Sequence, residues 1–176
     1  MGYRASWLAV KTDDLDAVLQ VVGLVRGEEL HEAVYDIGHY AVKLATWWVV
    51  IGDGSEAMHT VQENHAQVLS AGTEALYFTC NDTSMCARLV AFQNREQAWS
   101  LDYDGSNGPG KNELSGAPPA LVATAIASAQ EEQNKATRQV DYLYDAAPEI
   151  GLALTGFRHD QTLSGGEHLP ILVLST

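Results

Sequence analysis

The segment Gly105-Ser106-Asn107-Gly108-Pro109-Gly110-Lys111-Asn112 carries the glycine and lysine spacing of a phosphate-binding loop, and Leu163-Ser164-Gly165-Gly166-Glu167 has the form of an ATPase signature peptide. Together they would imply nucleotide hydrolysis. A phosphate loop needs a helix that starts at its lysine, so that backbone amides and the helix dipole face the phosphates. Here Ser115-Gly116-Ala117-Pro118-Pro119 follows almost at once, and Asn112 stands where a magnesium-binding Ser or Thr belongs. The spacing therefore predicts a loop without nucleotide chemistry.

Three further groups have the side chains of a reactive site. His59 and Glu63 fall at i and i+4 of a predicted helix, with His65 close by, a spacing at which imidazole and carboxylate can share a metal. No third ligand lies on that face and His65 is expected to turn toward the apolar stripe, so no metal is assigned. Cys80 and Cys86 have neither a CxxC spacing nor paired histidines, and they are read as free thiols, with a single bridge across a hairpin as the alternative. Arg158-His159-Asp160, with Asp141 and Asp145 a little earlier, contains the residue types of an acid/base site. There is no GxSxG elbow, and neighbours such as His159 and Asp160 point apart rather than forming the oriented base of a triad. The bland reading is a helix end whose Arg158 and His159 pair with nearby carboxylates.

The charge balance is more informative than any motif. The 23 acidic and 10 basic side chains among 176 residues give a net charge of −13, the wrong sign for a surface that must neutralise nucleic-acid phosphates. Anionic membranes are excluded as partners on the same ground. Asp13, Asp14, Asp16, Glu28, Glu29, Glu32 and Asp36 cluster around one base, Arg26, and Asp102 with Asp104 ends a predicted strand. Such runs are ordinarily solvated faces. They also suit a basic protein partner, for which Trp99, Tyr103 or Trp48 could supply an aromatic anchor. The candidate contact patch is Trp99, Asp102 and Asp104. The apolar share of 46% is that of a globular chain. No secretory signal and no run of ~20 apolar residues is seen, so a soluble, cytoplasmic product is expected.

The elements that must position these residues follow from periodicity. Tyr3 to Lys11 reads as a strand, and a helix over 13 to 23 follows from the capping oxygens of Thr12-Asp13-Asp14, the stripe Leu15, Val18, Leu19, Val22, and the stop at Gly23. Strands are expected at Ala33 to Ile37 and, after a turn at Gly38-His39, from Tyr40 to Ile51, with Trp47 in the core. A second helix is expected over 55 to 71. A meander of Glu74 to Cys80, Met85 to Gln93 and Gln97 to Asp104 comes next, then a Gly- and Pro-rich loop from 105 to 119. A third helix over 119 to 137, a short strand at Val140 to Tyr144, a helix from Pro148 to Leu154 and an extended tail at Leu169 to Leu174 complete the chain. The class is α+β: one domain over residues 1–176, a mainly antiparallel sheet under three to four helices, with a βαββαβ start in ferredoxin-like order. Trp7, Trp47, Val49, Phe78, Leu89 and Leu101 are its expected core.

Arg4-Ala5-Ser6-Trp7-Leu8-Ala9-Val10 before a capped helix, the strand end Ala98 to Gly105, and Val140 to Asp145 leading into Leu154 to Asp160 resemble small acidic bacterial proteins of the toxin-immunity kind. The resemblance implies a cofactor-free, non-enzymatic binding protein that neutralises a basic partner, a cognate toxin above all. The alternative is a small cytosolic hydrolase or transferase using Asp141, Asp145, Arg158 and His159.

Overall fold

The computed structural model of the chain describes residues 3–30, 38–108, 110–137, 140–160 and 171–175. Arg4–Lys11 (β1) is buried on both alternating faces because it lies inside the sheet, between Trp47–Asp53 (β4) and Glu74–Asn81 (β5). Around these, His39–Leu44 (β3), Val25–Leu30 (β2), Cys86–Gln93 (β6), Glu96–Asp104 (β7), Asn112–Gly116 (β8) and Ile171–Ser175 (β9) complete one antiparallel sheet in the order β2-β9-β3-β4-β1-β5-β6-β7-β8. The class is α+β.

Alternation along the strands divides the core in two. Trp7, Val49, Ile51, Phe78, Leu89, Trp99, Leu101 and Tyr103 project to one face, where Ala120–Lys135 (α3) and Ala146–Thr155 (α4) contribute Val122, Ala147 and Ile150. Trp7 stacks on Phe78 with ring centroids 5.3 Å apart and meets Phe157 edge-on at 5.8 Å, and all six expected core residues belong to this cluster. On the other face Leu8, Val10, Val50, Tyr77 and Val90 pack beneath Leu15–Val22 (α1) and Glu63–Leu69 (α2). The helices cover the sheet only in part. Within it, β5-β1-β4-β3 are neighbours; α1 joins β1 to the outer strand β2, and α2 joins β4 to β5 and packs against β5 and β1.

α1 is the element whose local signals agree best. Asp14 Oδ1 accepts from Ala17 N at 3.0 Å, the four stripe residues are buried, and Gly23, at φ 81°, donates its amide to Leu19 O. Such positive φ is easily adopted by glycine at a helix end. Other expectations need correction. The strand from Tyr40 to Ile51 is two strands, folded back at Ala45-Thr46 with Ala45 at φ 47°. The second helix is a 3-10 turn at Ala57–His59 and the separate α2, because Gln62 is extended between them and caps α2. Val140 to Tyr144 is a turn, not a strand. Gln133 clamps it, its amide donating to Val140 O and its carbonyl accepting from Tyr142 N. The polar edge strands β2 and β8 occupy segments read as connection and loop. Ala33 to Ile37 lies outside the described residues.

Candidate functional site

Two clusters contain the residues with chemistry. The first forms where the turn after α4 meets the ends of β1 and β5. Phe157 is fixed in the core, so its neighbours Arg158 and His159 leave the turn in different directions. Arg158, with 10% of its side chain exposed, donates to Asp145 at 3.2 Å, to Asp160 at 2.6 and 2.9 Å, and to Glu149. Burial raises the Asp145 carboxyl above the usual range even beside the guanidinium. His159 turns inward instead. Its ring sits between Tyr3 and Phe78, 5.1 Å from each, with Nε2 3.3 Å from Cys80 Sγ and Nδ1 buried without a partner among the described residues. Asp82 accepts from Tyr144 Oη at 2.5 Å and from Tyr3 N at 3.0 Å, while Asp141 accepts from Tyr103 Oη and Tyr144 N.

The electrostatics of this cluster oppose catalysis by its nucleophile. Burial pushes the Cys80 thiol up to about 12 and holds the His159 imidazole down to about 4, so near neutrality both are uncharged. A catalytic Cys–His pair works as thiolate and imidazolium. Among the four residues of the enzyme alternative, Arg158 and Asp145 meet, Asp141 serves Tyr103, and His159 faces Cys80. They do not converge on one reacting point. The Cys80–His159 contact joins residues 79 apart in sequence, and no local pattern foretells it.

The second cluster lies on the opposite face of the sheet, where β7 and β8 extend past α2. Arg88 donates to both carboxylate oxygens of Glu63, at 2.9 and 3.2 Å, and to Asp102. Asp102 stands opposite Glu113 in the β7–β8 register, Asp104 opposite Cys86 and Ser100 opposite Ser115. Asp104, Glu113 and Ser115 are exposed, and Glu63 and Asp102 are half-exposed, so four carboxylates share this face with Arg88, while the exposed Arg95 and Lys111 stand at its margins. Ser106 hydrogen bonds keep the Asp104 carboxyl below its ordinary value.

The candidate patch of Trp99, Asp102 and Asp104 is corrected in one member. Trp99 is 4% exposed and points to the α3/α4 side, where it lines a groove of about 380 Å3 with Trp47, Pro118 and Pro119. Strand alternation requires this, because 99, 101 and 103 share one face and 100, 102 and 104 the other. Tyr103 is buried for the same reason, and Trp48 is half-buried beneath the Lys43 ammonium. Neither is an exposed anchor.

The remaining motifs resolve simply. The loop from Gly105 leads into strand β8 rather than a helix, and Gly110 N is engaged by Tyr103 Oη. Residues 163 to 167 lie outside the described residues. His59 ends the 3-10 turn and Glu63 begins α2, so they are not successive turns of one helix. Glu63 holds Arg88, and His65 Nδ1 accepts the Gln62 amide instead of entering the apolar stripe. Among the described residues no group of three or more His, Cys, Asp or Glu could hold a metal ion, and no helix is long and apolar enough to cross a membrane. Cys80 and Cys86 are free; Cys86 stands opposite Asn81, on the face away from Cys80, which rules out a bridge across the hairpin. Compared with family models, curated proteins and solved structures, the chain matches none.

Proposed function

We propose that the protein acts without catalysis, binding and blocking a basic partner protein, and that the partner is a bacterial toxin with a cationic active-site cleft. The observation that carries this reading is the β6–β8 face, where Glu63 and Asp102 flank Arg88 and Asp104 and Glu113 extend the row of carboxylates. On a chain of net charge −13 such a face would draw in a cationic surface, raising the association rate more than the intrinsic affinity. Toxins that act on phosphate-bearing substrates need a cationic cleft, and carboxylates gathered on one face would take the place of the phosphates. The neutral Cys80–His159 pair and the saturated Arg158 favour this reading over a hydrolase or transferase. A cytoplasmic site of action belongs to the same reading. The β5-β1-β4-β3 unit with α1 and α2 on one face supports the ferredoxin-like description, with β2, β9 and the β6–β8 meander added at its flanks.

Capture from the native organism tests the proposal. A basic protein encoded beside this gene should be recovered, its association should slow as salt is added, and the gene should protect cells from it. An association rate indifferent to salt would overturn the electrostatic mechanism, and failure to protect would overturn the immunity role.

A further inference from the structure

The two ends of the sheet are built differently. At one end the β2–β9 ladder is interrupted by a register shift between Arg26 and Glu29. At the other, β8 pairs with β7 in unbroken register from Trp99↔Gly116 to Tyr103↔Asn112, and no described strand pairs with its outer side. An edge strand in an antiparallel ladder directs the N–H and C=O of every second residue outward, a template that proteins usually blunt with proline, lysine or a bulge. Within Asn112–Gly116 there is none of these, although Lys111 precedes the strand and Pro118-Pro119 follow it, and Glu113 through Gly116 are exposed.

Side chains add a pattern to the open backbone. Glu113 stands on the Asp102 side of the sheet, and Leu114, 40% exposed, on the Leu101 side. An added strand would therefore meet a carboxylate row on one face and an apolar residue on the other. A second copy of this chain paired at β8 would bring the two Glu113 carboxylates close on one face, adding like charge to a chain already at −13. Basic side chains on that face would be matched.

We propose that β8 is the docking edge for an extended segment of the basic partner, which joins the nine-stranded sheet with basic side chains on the Asp102–Glu113 side and apolar side chains on the Leu114 side. This rests on the basic-partner reading above and adds the shape of the recognised segment, about five residues to match β8.

The probe is a synthetic peptide of about eight residues alternating Lys with Val, compared with a peptide of the same composition whose lysines form one block. The alternating peptide should bind at least about tenfold more tightly and slow hydrogen exchange at β8 amides. Backbone N-methylation of every second residue should abolish binding in one phase and spare it in the other, since only one phase faces β8. Glu113→Lys should weaken the alternating peptide about tenfold. Equal binding of the block peptide, indifference to both N-methylation phases, or a dimer whose β8 amides are protected without peptide would overturn the proposal. Full capture of a native basic partner by the Glu113→Lys chain would remove β8 as its dock while leaving the acidic-binder reading intact. Peptide docking with no basic partner in the organism would keep the edge and discard the toxin-binding reading.

Discussion

Arg158 and Arg88 each gather carboxylates, yet they leave opposite results on the surface. Arg158 draws its partners from nearby in sequence, Asp145, Glu149 and Asp160, and is 10% exposed. It fastens the turn that seats His159 against Cys80. Arg88 bridges α2 and β7, is 32% exposed, and sits on a face where the carboxylates outnumber it. Identical chemistry is thus consumed in one place and presented in the other. Burial and the number of elements tied together decide which role an ion-pair cluster takes, since an exposed pair is worth little while a desolvated one is costly to break.

The largest effect expected on the buried side is a pH dependence. His159 binds its proton near 4 when folded, against an ordinary value of 6.5. Between these values the unfolded chain holds more protons, so stability present above pH 6.5 is lost as the pH falls toward 4, at about 1.4 kcal/mol per unit and about 3 kcal/mol in all. Tyr3, Cys80, Asp82, Arg158 and Asp160 surround the ring, and the attraction of Asp160 and Asp82 for a protonated imidazole is already outweighed by burial. Urea unfolding at several pH values should show this slope in the wild type. His159→Phe should lose it; an unchanged slope would mean that His159 is not buried as described.

Next in size is Arg158→Met, which strands Asp145, Glu149 and Asp160 beside a partly buried site. Because those carboxylates keep some contact with water, the expected loss is about 2 kcal/mol rather than the larger cost of a fully buried pair. Arg88→Met should cost about 1 kcal/mol or less and should quicken association with a cationic protein, because it removes the base that neutralises Glu63 and Asp102. Denaturant midpoints and stopped-flow rates measure both. Equal losses at the two arginines would erase the distinction between consumed and presented charge.

Sequence signals were sufficient where they were local and mutually consistent. Asp14, the stripe to Val22 and Gly23 specify α1 within a few residues, and Trp7 and Trp47 are placed by apolar runs. They failed where tertiary context supplies the reason. β2 and β8 are polar edge strands without a buried face to impose alternation, and Ala45-Thr46 turns the chain without the glycine of a common hairpin turn. The position of β9 between β2 and β3 depends on pairing across most of the chain length. Trp99 cannot share a face with Asp102 and Asp104, because the two-residue period of a strand sets odd and even positions of β7 on opposite sides.

The smallest effect is the sharpest test of the presented side. Glu113 and Asp102 are directly opposed across β7 and β8, and like charges so placed repel by a few tenths of a kcal/mol when they face water. Glu113→Lys should replace that repulsion with attraction, so the variant is expected to be slightly more stable, by about 0.5 kcal/mol or less. If the carboxylate serves binding, the same substitution should slow association with a basic partner and make the rate less sensitive to salt. Stability and binding then move in opposite directions from one side chain, which a structural role for Glu113 would not produce. A Glu113→Lys chain that is less stable and binds unchanged would show that the carboxylate is held for the fold, and the contrast between the two clusters would fall with it.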